Sequence, residues 1–334
     1  MMMDAARLRL LSDRGAYVIC ALYMCAVSLL AYLLDEPQKA LRGIYLEEWL
    51  KIPAAALAIF MSWAAWRSIG APSPARQFAA NLRLSLRPSV VCGLMLYLTL
   101  GLFHGSFTAA KTLMEDLAPF AWDSPLARLD AAMHGGDAWR LVPHYRWLTR
   151  VLQWIYFPLW LIMLAGVSFG VSLFADDRLR RRYLSTFFFV WIVLGNVVAL
   201  VFLSGGPIYT EALTGSDRFR PLMEYLQFSR GLAYSNVDVS DRLWAIHLIG
   251  NSEQGSGISA FPSLHLAMAT LWALALPQML PWLKWPMVLF VAVIEIGSVH
   301  LGWHYAIDGY FSIIVTLAVW KMTGLMHHSS AEAA

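Results

Sequence analysis

Eight stretches of this chain are each apolar over the length of a membrane-crossing helix, and no other feature restricts its fold so strongly. They run approximately Tyr17 to Leu34, Ile52 to Ile69, Val90 to Phe107, Val151 to Leu173, Ser185 to Leu203, Pro262 to Leu280, Pro286 to Val299 and Ala306 to Thr323. A span needs about 20 mainly apolar residues, with roughly 17 to 25 tolerated. The seventh run is therefore short and the second modest. Only 14% of the residues are charged and 59% are hydrophobic, where soluble domains carry about 25% charged residues. The expectation is an all-α, polytopic membrane helix bundle of about 8 spans. Arg7, Arg9 and Arg14 precede the first run in the manner of a signal peptide, but its apolar length and the lack of a small-residue cleavage site argue for a retained span.

Orientation follows from the basic residues. Arg7, Arg9, Arg14, Arg67, Arg76, Arg83, Arg87, Arg178, Arg180, Arg181 and Arg182 fall in short connections on one side. The other side spreads its basic residues through long loops that also hold most of the Asp and Glu. The positive-inside rule then places both termini in the cytoplasm, in agreement with an even number of spans. The net charge of +3 is uninformative, and no nucleic-acid partner is expected. Cys20, Cys25 and Cys92 all fall within spans and are expected to be small buried hydrophobes.

Two outer stretches are not simple spans. Residues 108–150 alternate apolar and polar groups, broken by Pro119, Pro125, Gly135-Gly136 and Pro143, which predicts interfacial helices. Asp130, His134 and Asp137 within them lack metal-ligand spacing and are expected to be solvated loop groups. Residues 204–260 form the longest polar segment, opening on Ser204-Gly-Gly-Pro-Ile-Tyr209. The amides of Gly205 and Gly206 are candidates for a phosphate-cradling nest, although Gly-Gly-Pro is also an ordinary helix terminator.

The chemistry-bearing residues lie near the C-terminus. In Gly297 to Tyr310, His304 stands four residues before Asp308, a spacing that puts both on one face of a helix's first turn. A carboxylate beside an imidazole fixes its tautomer and raises its basicity, as a nucleophile or base requires. An ion-paired helix cap is the structural alternative. Upstream, Ser259-Ala-Phe-Pro-Ser-Leu-His-Leu-Ala267 precedes another apolar helix. Pro262 is placed to open that helix, and Ser263 to cap it or to donate to an anion. His265 then sits in the first turn. With one crossing per span, Gly205, Gly206, His265, His304 and Asp308 share one face of the membrane.

Pro-Ser-Leu-His-Leu-Ala and His-Tyr-Ala-Ile-Asp resemble the second and third signature motifs of the type-2 phosphatidic acid phosphatase superfamily. The Phe-Pro-Ser-Leu-His form is most similar to its inositol phosphorylceramide synthase branch, and the resemblance covers about Val190 to Gly324. It implies a six-span catalytic core at residues 90–326, a two-span N-terminal addition at 1–89, and, beyond the core, a tail at 327–334 that looks disordered. It implies His304 as nucleophile on a lipid phosphate, Asp308 as its partner and His265 as acid and then base. Ser263, Gly205, Gly206 and Ser298 are expected to contact phosphate, and Tyr209 and Tyr305 the substrate. Phosphatase members usually carry Arg where Ser298 stands, which leaves Arg218, Arg220, Arg230 and Arg242 as candidate cations and favours a transferase.

The expected activity moves a phospho-head group from a membrane lipid donor to a lipid acceptor through a phosphohistidine, without cofactor or metal. Water as acceptor gives a phosphatase instead. A lipid transporter or scramblase is a third reading, with Glu295, His300 and Asp308 as intramembrane ionisable residues. A fourth places a metal on His300, His304 and Asp308, at helical spacing; the break expected near Gly302 argues against it. The expected location is a bacterial inner membrane, with the active site facing the periplasm.

Overall fold

The structure, a computed structural model, describes residues 2–40, 43–85 and 87–332. Among them every regular element is helical. The long apolar helices are α1 (Met2–Leu33), α2 (Leu46–Ser68) and α4 (Pro88–Leu117), with the short α3 (Pro74–Leu82) before α4. After the short α5 (Asp123–His134) comes α6 (Arg146–Trp154), which runs through a π-helical turn at Ile155–Leu159 into α7 (Trp160–Phe174). The next span joins α8 (Asp177–Phe188), a π-helical stretch at Phe189–Val198 and α9 (Ala199–Val201).

Three short helices, α10 (Thr210–Thr214), α11 (Arg220–Leu226) and α12 (Asn236–Leu248), build the long loop. The chain closes with α13 (Leu264–Met279), α14 (Lys284–His300) and α15 (Ala306–Glu332). Helix α15 extends into the tail expected to be disordered from 327, as far as Glu332; residues 333 and 334 lie outside the described residues.

Seven of these helices, among the described residues, are long and apolar enough to cross a membrane, and α13 is the shorter eighth. The chain is thus a polytopic helical bundle. At 16 residues α13 is about 24 Å long, less than the roughly 30 Å hydrocarbon core. It can be short because it is the hub: Leu266, Ala267, Met268, Ala269, Leu271, Trp272 and Ala275 are wholly buried, and α7, α8, α14 and α15 pack around it. Its backbone begins at Leu264, leaving Pro262 in the preceding loop.

Helix α1 packs along α4, where Val27, Ala31, Ala109, Ala110 and Leu113 form a small apolar cluster. Helix α2 reaches α4 through Trp49, which stacks against Tyr97 and His104. The π-helical turn is explained by Pro158, which has no N–H to give to the helical ladder.

One boundary expectation is corrected. Arg178 to Arg182 belong to the first turns of α8, and do not form a loop. Asp176 caps the helix by accepting from the Leu179 amide at 2.8 Å. Arg180 is fully buried, with Asp13 at 2.7 Å, Asp177 at 2.6 Å and the Ala175 carbonyl at 3.1 Å. A guanidinium can enter the interior there because its donors are met by carboxylates and a carbonyl.

Candidate functional site

The loop between α14 and α15 carries His304. It leaves α14 because Gly302, at φ +76°, turns the chain in a conformation that side chains other than glycine rarely adopt. The amides of Trp303 and His304 donate to the Ser298 carbonyl at 3.0 and 3.3 Å. The loop's outer edge is pinned by Asn236, which donates to the Leu301 carbonyl at 2.8 Å, and by the Ile208 amide on the Gly302 carbonyl at 2.8 Å. Helix α15 starts at Ala306, so His304 precedes it and Asp308 sits in its first turn. Asp308 Oδ2 accepts from the Tyr305 amide at 3.0 Å and stands 3.4 Å from His304 Nδ1. That contact is not aligned as a hydrogen bond, since Nδ1 has no partner.

His265 lies in the first turn of α13, with its ring centroid 6.3 Å from that of His304. Tyr156 of the π-helical turn and Trp160 at the start of α7 pack against it with ring centroids at 4.2 Å each, Tyr156 nearly parallel at 11°. Trp160 Nε1 also donates to the His265 carbonyl at 3.2 Å. The π turn therefore orients one histidine while the Gly302 loop orients the other. Ser263 occupies the N-cap position of α13 without capping it, and its buried hydroxyl is unpartnered.

Sequence reasoning missed Lys111 on α4, which lies within electrostatic reach of both histidine rings. Its acidic neighbour Glu115, one turn on, is occupied elsewhere. Glu115 takes His247 Nδ1 at 2.5 Å and also the Ile258 amide. No ion pair to Lys111 forms among the described residues. Burial pushes His304 down to about 3, with Lys111 adding to the effect, so the ring is neutral at neutral pH. The apolar run ends at Phe107 in the sequence, and only the continuation of α4 to Leu117 carries Lys111 into the bundle.

Several expected site residues are engaged differently. The amides of Gly205 and Gly206 are no open nest: they donate to the two oxygens of Asp123 on α5, both at 2.8 Å. Burial raises the Asp123 carboxyl and those amides oppose it. Tyr305 donates to Asp123 at 3.0 Å and contacts Thr210 at 3.2 Å, while Tyr209 donates to the Ser240 carbonyl at 3.1 Å. Ser298 is wholly buried and donates to the Glu295 carbonyl at 2.8 Å. These five positions shape the loops around the histidines, because their polar atoms are spent internally.

Asp130, expected to be a solvated loop group, is buried on α5 and accepts from the Ile307 amide at 3.2 Å. Together with Asp123 it makes α5 a brace beneath the start of α15. His300 faces away from His304, with Nε2 at 2.7 Å from Thr149, so His300, His304 and Asp308 are not assembled as a metal site. Among the described residues no three His, Cys, Asp or Glu gather as one.

The loop arginines are all tied to partners: Arg218 to Asp137 at 2.5 Å, Arg220 to Glu211 at 2.7 Å, Arg230 to Asp241 at 2.7 Å and Arg242 to Glu253 at 3.7 Å. What converges on one point is His265, His304, Asp308, Ser263 and Lys111. Two imidazoles, a carboxylate, a free hydroxyl and a free ammonium suit a reaction at a phosphate.

Comparison with known proteins agrees. The sequence model of one family, described as the PAP2 superfamily, matches residues 124–322, a stretch that contains both histidines and Asp308 but not Lys111. No curated protein and no solved structure matches the chain.

Proposed function

The chain belongs to the PAP2 superfamily and is an integral membrane protein of the lipid phosphatase and phosphotransferase type; we propose that it is a phosphotransferase of the inositol phosphorylceramide synthase-like branch, moving a phospho-head group between lipids. The observation that carries this reading is Lys111 set against two histidines with, among the described residues, no second free lysine or arginine beside it. A phosphate monoester bears about −1.5 to −2 charges at pH 7, whereas a phosphodiester bears about one. One fixed ammonium, beside an imidazolium that gives up its charge during the reaction, supports a phosphodiester lipid as donor. The absence of arginine at Ser298 supports the same choice.

In the proposed reaction His304 attacks phosphorus, forming an N–P bond as the P–O bond to the lipid alkoxide breaks. His265 gives its proton to that alkoxide, then takes one from the hydroxyl of the acceptor lipid as the latter displaces His304. Asp308 holds the His304 imidazolium, and Lys111 and Ser263 hold the phosphoryl oxygens. The face of the membrane that carries these groups is assigned to the periplasm, with both termini cytoplasmic. The first two spans are assigned to a buttress on α4, outside the reacting centre.

The test offers purified protein in detergent micelles head-group-labelled phospholipids, with and without ceramide or diacylglycerol, beside His304→Ala and His265→Ala. Label reaching a lipid acceptor in wild type and in neither variant supports the proposal. Release of inorganic phosphate moves the activity to hydrolysis. Full transfer by His304→Ala contradicts the mechanism.

A further inference from the structure

Glu295 is a carboxyl group inside α14 that the proposed reaction does not use. Both of its oxygens are buried and neither has a partner. It points at the first turn of α15, where Gly309 makes room: a Cβ at that position would stand 2.7 Å from Glu295 Cδ. Gly309 directly follows Asp308, whose Oδ1 is the other buried carboxyl oxygen without a partner in this part of the bundle. The titratable groups within electrostatic reach of Glu295 are Asp308 and Tyr310 on α15, Asp130 on α5 and Tyr156 on the π-helical turn. The Tyr156 hydroxyl is also unpartnered. Asp130 is committed to the Ile307 amide, and Tyr310 to His134 at 3.1 Å. Glu295 makes no ion pair among the described residues.

Two neighbouring carboxyl groups with no cation between them cannot both be ionised cheaply in so dry a place, and one proton shared between them satisfies both. We infer that Glu295 is a positioning residue that shares a proton with Asp308, fixing Oδ1 so that Oδ2 stays directed at His304. This inference rests on the dyad assigned under the proposed function. The pair carries one proton and one negative charge throughout the cycle. No proton passes from it to substrate, and the Asp308 charge remains available to the His304 imidazolium. The Tyr156 hydroxyl closes the cluster while its ring holds His265, so both histidines are braced from one buried polar group.

The experiment compares Glu295→Gln, Glu295→Ala and His304→Ala in the lipid-transfer assay, with infrared difference spectra of the purified proteins at neutral pH. The amide of Glu295→Gln can still donate to Asp308, so its kcat is expected within about threefold of wild type. Glu295→Ala is expected to lose roughly tenfold or more in kcat with KM little changed, as for other losses of positioning. A protonated-carboxyl band present in wild type is expected to vanish in Glu295→Gln. If Glu295→Ala does not fold, that band alone decides.

A folded Glu295→Ala with wild-type kcat overturns the inference, as does a band unchanged in Glu295→Gln. Full activity in His304→Ala overturns the underlying dyad. An inactive His304→Ala beside a fully active Glu295→Ala removes only the role of Glu295.

Discussion

Arg180 and Lys111 are both cations drawn into the bundle, one near each end of α4, and their surroundings are opposites. The Arg180 end gathers Asp13, Asp177, Ser12 and the Ala175 carbonyl around one guanidinium. Arg9 adds a bond to the Ser172 carbonyl at 2.6 Å, beside the point where Gly93 of α4 packs closely on α7. Lys111 lies 18 residues further along α4, about 27 Å away at 1.5 Å per residue. There the ammonium has no ion pair among the described residues, and Ser263, His304, Asp308, Glu295 and Tyr156 each leave a polar atom unmatched. At the Arg180 end Arg9 Nε and Asp13 Oδ2, which lack a hydrogen bond, face each other 3.3 Å apart as an ion pair, whereas no carboxylate pairs with Lys111 among the described residues; a cluster left open in this way is organised for something that arrives later.

The contrast is tested first by exchanging the expected losses. His304→Ala and His265→Ala are expected to reduce transfer by roughly 10³-fold or more while leaving the thermal midpoint in detergent almost unchanged. Arg180→Ala leaves buried Asp13 with Arg9 at 3.3 Å as its remaining charge partner and is expected to cost up to roughly 3–5 kcal/mol, read as a lowered midpoint with normal turnover from the protein that remains folded. A stable but inactive Arg180→Ala would break the division between the two ends.

Lys111→Met is expected to lower kcat/KM roughly 10²-fold, the scale for removing one preorganised electrostatic partner of a reacting group, with the fold intact. Binding measured by protection from heat should weaken for phosphodiester lipids in the same variant.

The pH response sharpens the comparison further. His304 is held down to about 3 by burial, with Lys111 contributing, against about 6.5 in an unfolded chain. The nucleophile therefore stays neutral well below the usual histidine range, and the acid limb of kcat/KM is expected below pH 6. The stability term has the same sign: it is complete above about pH 6.5 and is lost as pH falls towards 3, because the unfolded state takes up the proton first. Thermal midpoints of wild type should therefore drop more between pH 7 and pH 4 than those of His304→Gln. The smallest effect belongs to the loop arginines: Arg220→Gln, freeing Glu211 on the exposed surface, is expected to change turnover less than about twofold.

The eight spans are legible in the sequence because apolar length is a local property, and lipid leaves a helix few alternatives. The positions of His265, His304 and Asp308 at helix starts are legible for the same reason, since His265 opens α13 and the other two flank the start of α15. Lys111 is not, because only the packing of α4 brings it to histidines more than 150 residues away in sequence. The glycine pair shows the opposite failure. Gly205 and Gly206 have the composition of an anion nest, and the structure fills it with Asp123 from α5, a carboxylate over 80 residues upstream. Arg178 to Arg182 read as a loop by charge alone, yet Asp176 caps a helix there and Asp13 admits Arg180 to its core. The π turn at Pro158, which aims Tyr156 and Trp160 at His265, leaves no periodic trace in so uniformly apolar a segment.

The covalent step is the centre of the account, and the most direct measurement looks for it. Enzyme mixed with phosphodiester lipid donor, without acceptor, is quenched in alkali and digested, and the peptide carrying His304 is examined by mass spectrometry. The account predicts a phospho-head-group adduct on His304, chased away by added acceptor lipid and missing from His304→Ala. Turnover without any adduct on His304, or an adduct that persists elsewhere in His304→Ala, would contradict it.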